Sequence, residues 1–325
     1  MDAAATILGA SGYTGGEIAR ALAGHPEIDV VAVGGARQAG SQWGNVQPHL
    51  IESAELELLP IERALSTSAD VCFSCLPSGS LSGLIEGARA RIVVDLSDDF
   101  RRADSSDGWV YGLTEFVRPE LKVATRISNP GCYPTAALLC LVPFARMGAI
   151  EGPVVIDAIS GVSGAGRRLE DRLLFASLEA NATAYGNTEH RHVPEIERGL
   201  ARFGGMETTI SFTPHLVPMT RGLLVTARAP LKSSLSDEGA LSILHDAYSF
   251  ESFVQVVPDW PSTKPVSGSN AAHVSARIDQ RNGLIVCSSA IDNLGKGAAG
   301  QAVQNANIAL GLDETLGLLS VGVWP

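Results

Sequence analysis

A cysteine stands in Ser128-Asn129-Pro130-Gly131-Cys132-Tyr133-Pro134-Thr135, on a Pro-Gly turn directly before an apolar run, Ala136 to Pro143. Pro134 is pre-organised for a first helical turn, so the spacing predicts a helix that opens at the cysteine. Unpaired amide N–H groups at a helix N-terminus stabilise an anion, and a thiol placed there gains thiolate character. The thiolate is the form of cysteine that attacks carbonyl and acyl carbon. Cys132 is therefore a candidate covalent nucleophile.

A thiol catalyst needs an acid or base beside it. The segment Glu189-His190-Arg191-His192-Val193-Pro194-Glu195-Ile196 offers two histidines, whose ordinary pKa lies near neutrality. A metal site is the rival reading of His with carboxylates, but His190 and His192 are two apart and form no helical H-x-x-x-H pair, so no metal is expected. Three loops suit an anionic group. Ser160-Gly161-Val162-Ser163-Gly164-Ala165-Gly166-Arg167 reads as a glycine-rich anion nest. Pro218-Met219-Thr220-Arg221-Gly222 sets Arg221 at the mouth of a strand, and Asp95-Leu96-Ser97-Asp98-Asp99-Phe100-Arg101 sets Arg101 at another strand's C-terminal end. Open α/β sheets bind ligands at such ends.

Near the N-terminus, Gly9-Ala10-Ser11-Gly12-Tyr13-Thr14-Gly15 lies between an apolar strand and a helix-like segment. Spaced glycines in that position let backbone N–H groups approach a pyrophosphate, which predicts a dinucleotide site at Gly9, Ser11, Gly12, Tyr13, Thr14 and Gly15. The spacing is G-x-x-G-x-x-G rather than G-x-G-x-x-G. The next strand ends in Val33-Gly34-Gly35-Ala36-Arg37, without the acidic residue that holds the ribose hydroxyls in NAD sites. Arg37 suits a 2′-phosphate, so NADPH is the expected cofactor.

The elements that must position these groups follow two patterns. Up to about residue 130, short apolar strands (Thr6 to Gly9, Asp29 to Gly34, Asp70 to Leu76, Arg91 to Leu96, Val123 to Ser128) alternate with helical stretches at Thr14 to Gly24 and Ser80 to Ala90. That βαβ alternation predicts a doubly wound parallel sheet. Beyond it, strands dominate: Val154 to Ile159, Thr208 to Thr213, Leu223 to Ala229, Phe253 to Val257, His273 to Asp279 and Leu284 to Ile291. Helices are expected around Arg172 to Leu178, Glu195 to Phe203, Ser236 to Phe250 and Gly297 to Leu312. The fold class is α/β: a Rossmann-type doubly wound parallel sheet plus an α+β mixed-sheet domain. The expected division is 1–131 for the nucleotide domain, completed by a C-terminal helix in 297–325, and 132–296 for the catalytic domain.

Composition narrows the function classes. Of 325 residues, 45% are apolar, enough for a full core, and the net charge of −11 (35 acidic, 24 basic) argues against a general nucleic-acid surface. No transmembrane run or signal peptide is read, and five cysteines, an odd number, fit a reduced cytoplasmic setting. Cys72 and Cys75 form a C-x-x-C, but within the apolar strand Val71 to Leu76 they read as core residues. Cys140 and Cys287 read the same way.

Ile127 to Ala136, His190-Arg191-His192-x-Pro194-Glu195-Ile196 and Phe212 to Gly222 together resemble the N-acetyl-gamma-glutamyl-phosphate reductases. Gly9 to Gly15, Ser160 to Arg167 and Asp292-Asn293-Leu294-x-Lys296-Gly297-Ala298-Ala299-Gly300-Gln301-Ala302-Val303-Gln304-Asn305 agree, so the resemblance spans nearly the whole chain in order. It implies the semialdehyde dehydrogenase architecture, a homo-oligomer (dimer or tetramer), and NADPH-dependent reduction of an acyl phosphate in arginine biosynthesis. Carried over, Cys132 forms the thioester and a histidine, His190 ahead of His192, is the acid/base. Arg101, Asn129, Ser160, Glu195 and Arg221 are expected at the substrate. Ser78, Asn293 and Gln301 are expected at the cofactor, with Asn293 and the following helix on the nicotinamide side.

The chain departs from the family pattern at Ala36, where a Ser is expected beside Arg37, at Ser78, where His is common, and at Ile159, where Lys is usual. The last removes a cation from the substrate loop. The lysine-biosynthesis reductases, which act on an acidic carrier-linked acyl phosphate, share most of these motifs, but a chain of this charge suits an acidic carrier poorly. The motifs of aspartate-semialdehyde dehydrogenase fit worse. A non-catalytic NADP-binding sensor would need the glycine turn and not the thiol with its histidine loop.

Overall fold

The structure is a computed structural model that describes residues 2–51, 53–102, 107–186 and 189–324. The chain divides into two units, Met1–Pro130 with Ala298–Leu318, and Gly131–Gly297 with Leu319–Pro325.

The first unit holds β1 (Ala3–Leu8), α1 (Tyr13–Leu22), β2 (Ile28–Gly34), β3 (Leu58–Leu59), α2 (Ile61–Leu65), β4 (Ala69–Ser74), β5 (Ala90–Asp95), β6 (Val110–Tyr111), α3 (Thr114–Leu121) and β7 (Arg126–Ser128). The seven strands are ordered β3-β2-β1-β4-β5-β7-β6 and every pair is parallel. Residues 5–8 of β1 and 92–95 of β5 are fully or almost fully buried. That is what continuous apolar runs produce when helices cover both faces. The strand order reverses between β1 and β4, and a ligand crevice belongs at such a switch point.

The second unit holds α4 (Cys132–Arg146), β8 (Val154–Ser160), a single turn α5 (Phe175–Leu178), β9 (Thr183–Ala184), α6 (Val193–Gly204), β10 (Ile210–Leu216), β11 (Leu223–Pro230), α7 (Asp237–Tyr248), β12 (Val254–Val256), β13 (Ala272–Asp279) and β14 (Leu284–Ile291). Its sheet runs β12-β13-β14-β11-β8-β10-β9, with β8–β10 and β12–β13 parallel and the other pairs antiparallel. Buried and half-exposed residues alternate along β11, as in a sheet packed on one face. α4 lies against β11, β13 and β14, and its residues 133–145 are all buried.

After a π-helical turn at Gly295–Ala299 the chain forms α8 (Gly300–Leu310), which packs on α1, α3 and β5 of the first unit. Its small residues Gly300, Ala302, Ala306 and Ala309 allow that burial, and Gly311 ends it in a left-handed conformation.

Three expectations need correction. Ser80 to Ala90 is no helix: only Ile85–Gly87 makes a 3-10 turn. Gly83, Gly87 and two serines disfavour a helix, and the Asp99 carboxylate instead accepts the N–H groups of Gly79 and Ser82. Arg172 to Leu178 splits at the extended Leu174 into a 3-10 turn and α5. The C-terminal stretch from Leu319 belongs with the second unit, where Leu319 O accepts from Asn270 N and Val323 N donates to Ser267 O.

Candidate active site

Cys132 is the first residue of α4, after the N-cap Gly131. No side chain caps this end and its first turn carries no acid, so the helix end that Cys132 opens has no competing carboxylate in its first turn. The Gly131 N–H itself donates to Glu195 Oε1 at 2.8 Å. Glu195 is buried in the first turn of α6, and α6 reaches it because Gly199 and Gly204 let the helix lie against Leu138 and Ala145 of α4. Glu195 thus braces the nucleophile's turn from behind.

A second brace comes from the turn after β14. The buried Asp292 carboxylate accepts from Leu294 N (2.8 Å), Gly295 N (3.0 Å) and Gly268 N (2.6 Å), and pairs with Arg221 at 3.4 Å. Its carbonyl takes the Gly297 N–H at 2.9 Å, closing the π turn. A Cβ on Gly297 would lie 2.9 Å from Cys132 Cβ, so only glycine permits that approach.

Cys132 lines a cavity of about 290 Å3 with Tyr133, Ser160, Gly161, Gly164, Ala165, Arg168, Arg172, Leu173, Tyr185, His190, Arg191, His192 and Leu216. His192 is the N-cap of α6 and buried; His190 is half-buried, their ring centres 4.8 Å apart. Burial and the adjacent Arg191 lower the His190 pKa to about 4, so the ring is neutral at physiological pH. His190 Nδ1 accepts the His192 backbone N–H at 3.2 Å, which assigns the proton of the neutral ring to Nε2. Both rings pack edgewise on Tyr133, whose hydroxyl meets that of Tyr185 at 3.0 Å. Burial pushes the Tyr133 pKa up, keeping it a neutral donor.

Two loops shape the same wall. Gly161 N donates to Gly222 O and Val162 N to Met219 O, both at 2.9 Å, which joins the loop after β8 to the one after β10. Asn293 fastens them further: its Nδ2 donates to Ser163 Oγ (2.9 Å) and its Oδ1 accepts from Gly222 N (2.8 Å). Asn293 thus ties the two loops to the turn after β14. Ser160 ends β8 and lines the cavity. Arg221 and Glu195 do not line it among the described residues; they act on it through Asp292 and Gly131.

In the first unit, the glycine turn is built for close approach. Gly9 has φ +71°, and a Cβ on Gly15 would sit 2.6 Å from Gly9 O. Trp43 Nε1 and Gln47 Nε2 donate to Ala10 O at 2.9 and 3.1 Å, and Gln47 also to Gly12 O, so the turn's carbonyls are taken. Gly12 is the N-cap of α1, with no side-chain cap and no acid in the first turn. Ser11 and Thr14 are half-buried and Tyr13 is exposed. A diphosphate fits this cradle by the same logic as other helix N-termini. Arg37 is exposed just beyond β2, and Ser78 is exposed in the loop that Asp99 holds.

Of three other expected contact residues, Asn129 and Gln301 are buried and Arg101 is half-buried. Asn129 is fully buried, donating to Ala298 O (3.0 Å) and accepting from Asn305 Nδ2 (3.1 Å). Arg101 donates to Asn129 O and Leu96 O, both at 2.8 Å. Gln301 is fully buried and donates to Gly112 O and Thr114 Oγ1. Asn129 and Gln301 therefore make framework hydrogen bonds within the first unit. Cys72 and Cys140 are buried, and burial pushes their thiols up to about 11 and about 12.

Sequence reasoning missed Arg168, Arg172, Tyr133 and Tyr185. The signal was present in the arginine-rich 167–172 segment, which follows the glycine loop directly.

Residues 4–124 match the semialdehyde dehydrogenase, NAD binding domain, and residues 132–293 the semialdehyde dehydrogenase, dimerisation domain. The N-acetyl-gamma-glutamyl-phosphate reductases of Acidothermus cellulolyticus and Paenarthrobacter aurescens are 41% and 43% identical, each over 100% of both chains. A probable chloroplastic N-acetyl-gamma-glutamyl-phosphate reductase of Arabidopsis thaliana is 41% identical over 98% of this chain and 84% of its own. Among solved structures, aspartate semialdehyde dehydrogenase II of Vibrio cholerae, complexed with ASA, superimposes with a TM-score of 0.75 at 16% identity, covering 96% of this chain and 99% of that one. The Candida albicans aspartate semialdehyde dehydrogenase with NADP gives 0.69 at 19% identity, covering 95% and 98%. These two share the fold.

Proposed function

This chain belongs to the N-acetyl-gamma-glutamyl-phosphate reductase family, and from that premise we propose that it reduces N-acetyl-L-glutamyl 5-phosphate with NADPH to N-acetyl-L-glutamate 5-semialdehyde and phosphate, in arginine biosynthesis. The observation that carries the reading is Cys132 at an uncapped helix N-terminus, sharing one cavity with His190, His192 and three arginines.

The Cys132 thiolate, favoured by the α4 amides, attacks the acyl carbon. A C–S bond forms, the C–O bond to phosphate breaks, and phosphate leaves. Arg168, Arg172 and Arg191 supply the positive charge that an anionic acyl phosphate requires, and they replace the cation lost at Ile159. A nicotinamide cofactor held on the Gly9 to Gly15 cradle would supply the hydride that takes the Cys132 thioester to the aldehyde level. The resulting alkoxide on Cys132 expels the sulfur, which releases the aldehyde and regenerates the thiolate. Negative charge develops on one oxygen in both stages, and the neutral His190 ring offers its Nε2–H there. The second collapse returns its charge to the sulfur and needs no proton, whereas phosphate leaving an acyl phosphate dianion must take one up, the acid role expected of His190 or His192.

The nucleotide belongs on the cradle Gly9 to Gly15, with Arg37 at the 2′-phosphate; the absence of an acidic residue at Gly34, Gly35 and Ala36 supports NADPH over NADH. A homodimer or tetramer is favoured by the exposed face of the second sheet, where Val155 of β8 is 39% exposed. No helix among the described residues is long and apolar enough to cross a membrane, and we take the enzyme to work in the cytoplasm.

The test is phosphate-dependent reduction of NADP+ by N-acetylglutamate, glutamate and aspartate semialdehydes. The acetylated compound is expected to give the highest kcat/KM. Activity confined to another semialdehyde contradicts the proposal.

A further inference from the structure

Residues 35–57 connect β2 to β3 and carry a single 3-10 turn, Trp43–Asn45, among the described residues. Long connections of this kind are commonly functional. This one is fastened to itself: Trp43 N donates to Leu56 O at 2.7 Å and Gly44 N to Ala54 O at 3.0 Å. Trp43 is fully buried and Gln47 almost so. Both side chains end on one backbone oxygen, Ala10 O, with Trp43 Nε1 at 2.9 Å and Gln47 Nε2 at 3.1 Å. Gln47 Nε2 also meets Gly12 O at 2.8 Å. Gly16 keeps the slot for that amide open, since a Cβ there would lie 2.7 Å from Gln47 Nε2.

The shared oxygen belongs to the peptide on which the glycine turn depends. Gly12 N donates to Gly9 O at 2.9 Å, so residues 9–12 form a β-turn with the Ala10–Ser11 peptide at its centre. Rotation of that central peptide is what interconverts the common turn types. A peptide is planar and trans, so fixing Ala10 O on one side fixes the Ser11 N–H on the opposite side. By the same rule the Tyr13 N–H, in the first turn of α1, points opposite Gly12 O. With the central peptide rotated, Ala10 O would take the place of the Ser11 N–H and repel a diphosphate. The rotated turn requires a positive φ at its third residue, and Ser11 has none. The two donors from residues 35–57 add to that steric preference.

We propose that Trp43 and Gln47 are positioning residues for the cofactor: without touching it, they hold the Ala10–Ser11 peptide in the orientation that turns the Ser11 N–H to the diphosphate. The proposal rests on the cofactor reading of the preceding section. The peptide is set before the cofactor arrives, so no binding free energy goes into turning it.

The experiment uses Gln47→Met, which keeps the side chain's length without its N–H groups, Trp43→Phe, which keeps an aromatic ring without the indole N–H, and the two combined. NADPH affinity is measured by fluorescence titration. Isothermal titration calorimetry gives the affinity for adenosine 2′-monophosphate, which has no diphosphate. Each single variant is expected to raise the NADPH Kd about fivefold. The double variant is expected to raise it about 50-fold, more than the product of the two, because one donor alone still holds Ala10 O. The Kd of adenosine 2′-monophosphate is expected to stay within about twofold of the native value. In turnover the loss should fall on the KM for the cofactor rather than on kcat. Either single variant that folds reads the same difference between the two ligands. An NADPH Kd unchanged in the variants, or an equal loss for NADPH and adenosine 2′-monophosphate, overturns the positioning role while the cofactor reading stands. A native enzyme that does not bind NADPH overturns both.

Discussion

Two turns in this molecule solve a similar electrostatic problem in different ways. Gly12 before α1 and Gly131 before α4 are both glycine N-caps in extended conformation, both lack a side-chain cap, and neither helix has an acid in its first turn. Each therefore leaves amide N–H groups for an anion. The first turn is glycine-rich, and neutral groups, Trp43 and Gln47, hold its carbonyls, so its amides suit a diphosphate brought from solution. The second puts the anion on the chain itself, as the sulfur of Cys132, and braces it with two buried carboxylates, Glu195 and Asp292. Both carboxylates receive backbone N–H groups, which fixes the turn while the α4 amides remain for the sulfur. On the proposed reading, the same helix-end physics serves reversible binding in one unit and covalent catalysis in the other.

Breaking one turn should leave the other intact. Cys132→Ser is expected to lower turnover by about 10^4-fold or more, with the Kd for NADPH within about twofold of the native value by fluorescence titration. Gly15→Ala drives a methyl group onto Gly9 O, 2.6 Å from the ideal Cβ position. It should weaken NADPH by about 100-fold while the rate of Cys132 alkylation by iodoacetamide stays unchanged. Equal damage to both readouts in either variant would show that the two turns do not act separately.

Glu195→Ala leaves the Gly131 N–H without its acceptor. About 2 kcal/mol of stability should be lost in urea unfolding, and Glu195→Gln, which keeps an acceptor oxygen, should recover part of it. The smallest effect concerns His190. In the folded chain its ring stays neutral down to about pH 4, whereas the unfolded chain takes up this proton near 6.5. Its contribution to stability therefore falls as pH drops through that window and is flat above it. Nitrogen NMR of the ring should show an Nε2–H tautomer at pH 7; a ring still titrating near 6.5 would contradict the assignment.

Much of this was legible in the sequence because the signals are local. The glycine turn, the Pro-Gly-Cys helix start and the apolar strand runs each announce their own backbone. The two-residue strands β3, β6 and β9 carry no such pattern, and β9 is defined only through its pairing with β10. Arg168 and Arg172 belong to no motif of their own, and only the path of the chain after Gly166 brings them to the cavity. Asn129, Asn293 and Gln301 stand in motifs shared with the family, yet their amides go to neighbouring loops and carbonyls. A motif marks such a residue as needed without saying whether it touches the ligand or holds what does. Ser80 to Ala90 misleads in the opposite sense, since Asp99 captures amides that a helix there would have used.

The central claim is that Cys132 carries the acyl group. Native enzyme incubated with NADP+ and N-acetylglutamate semialdehyde in the absence of phosphate should accumulate a thioester. Intact-protein mass spectrometry should then show the added mass of one N-acetylglutamyl group per chain, labile to hydroxylamine and mapped by peptide fragmentation to Cys132. An adduct on another residue, or NADPH formed in a single-turnover burst with no adduct at all, would contradict the account.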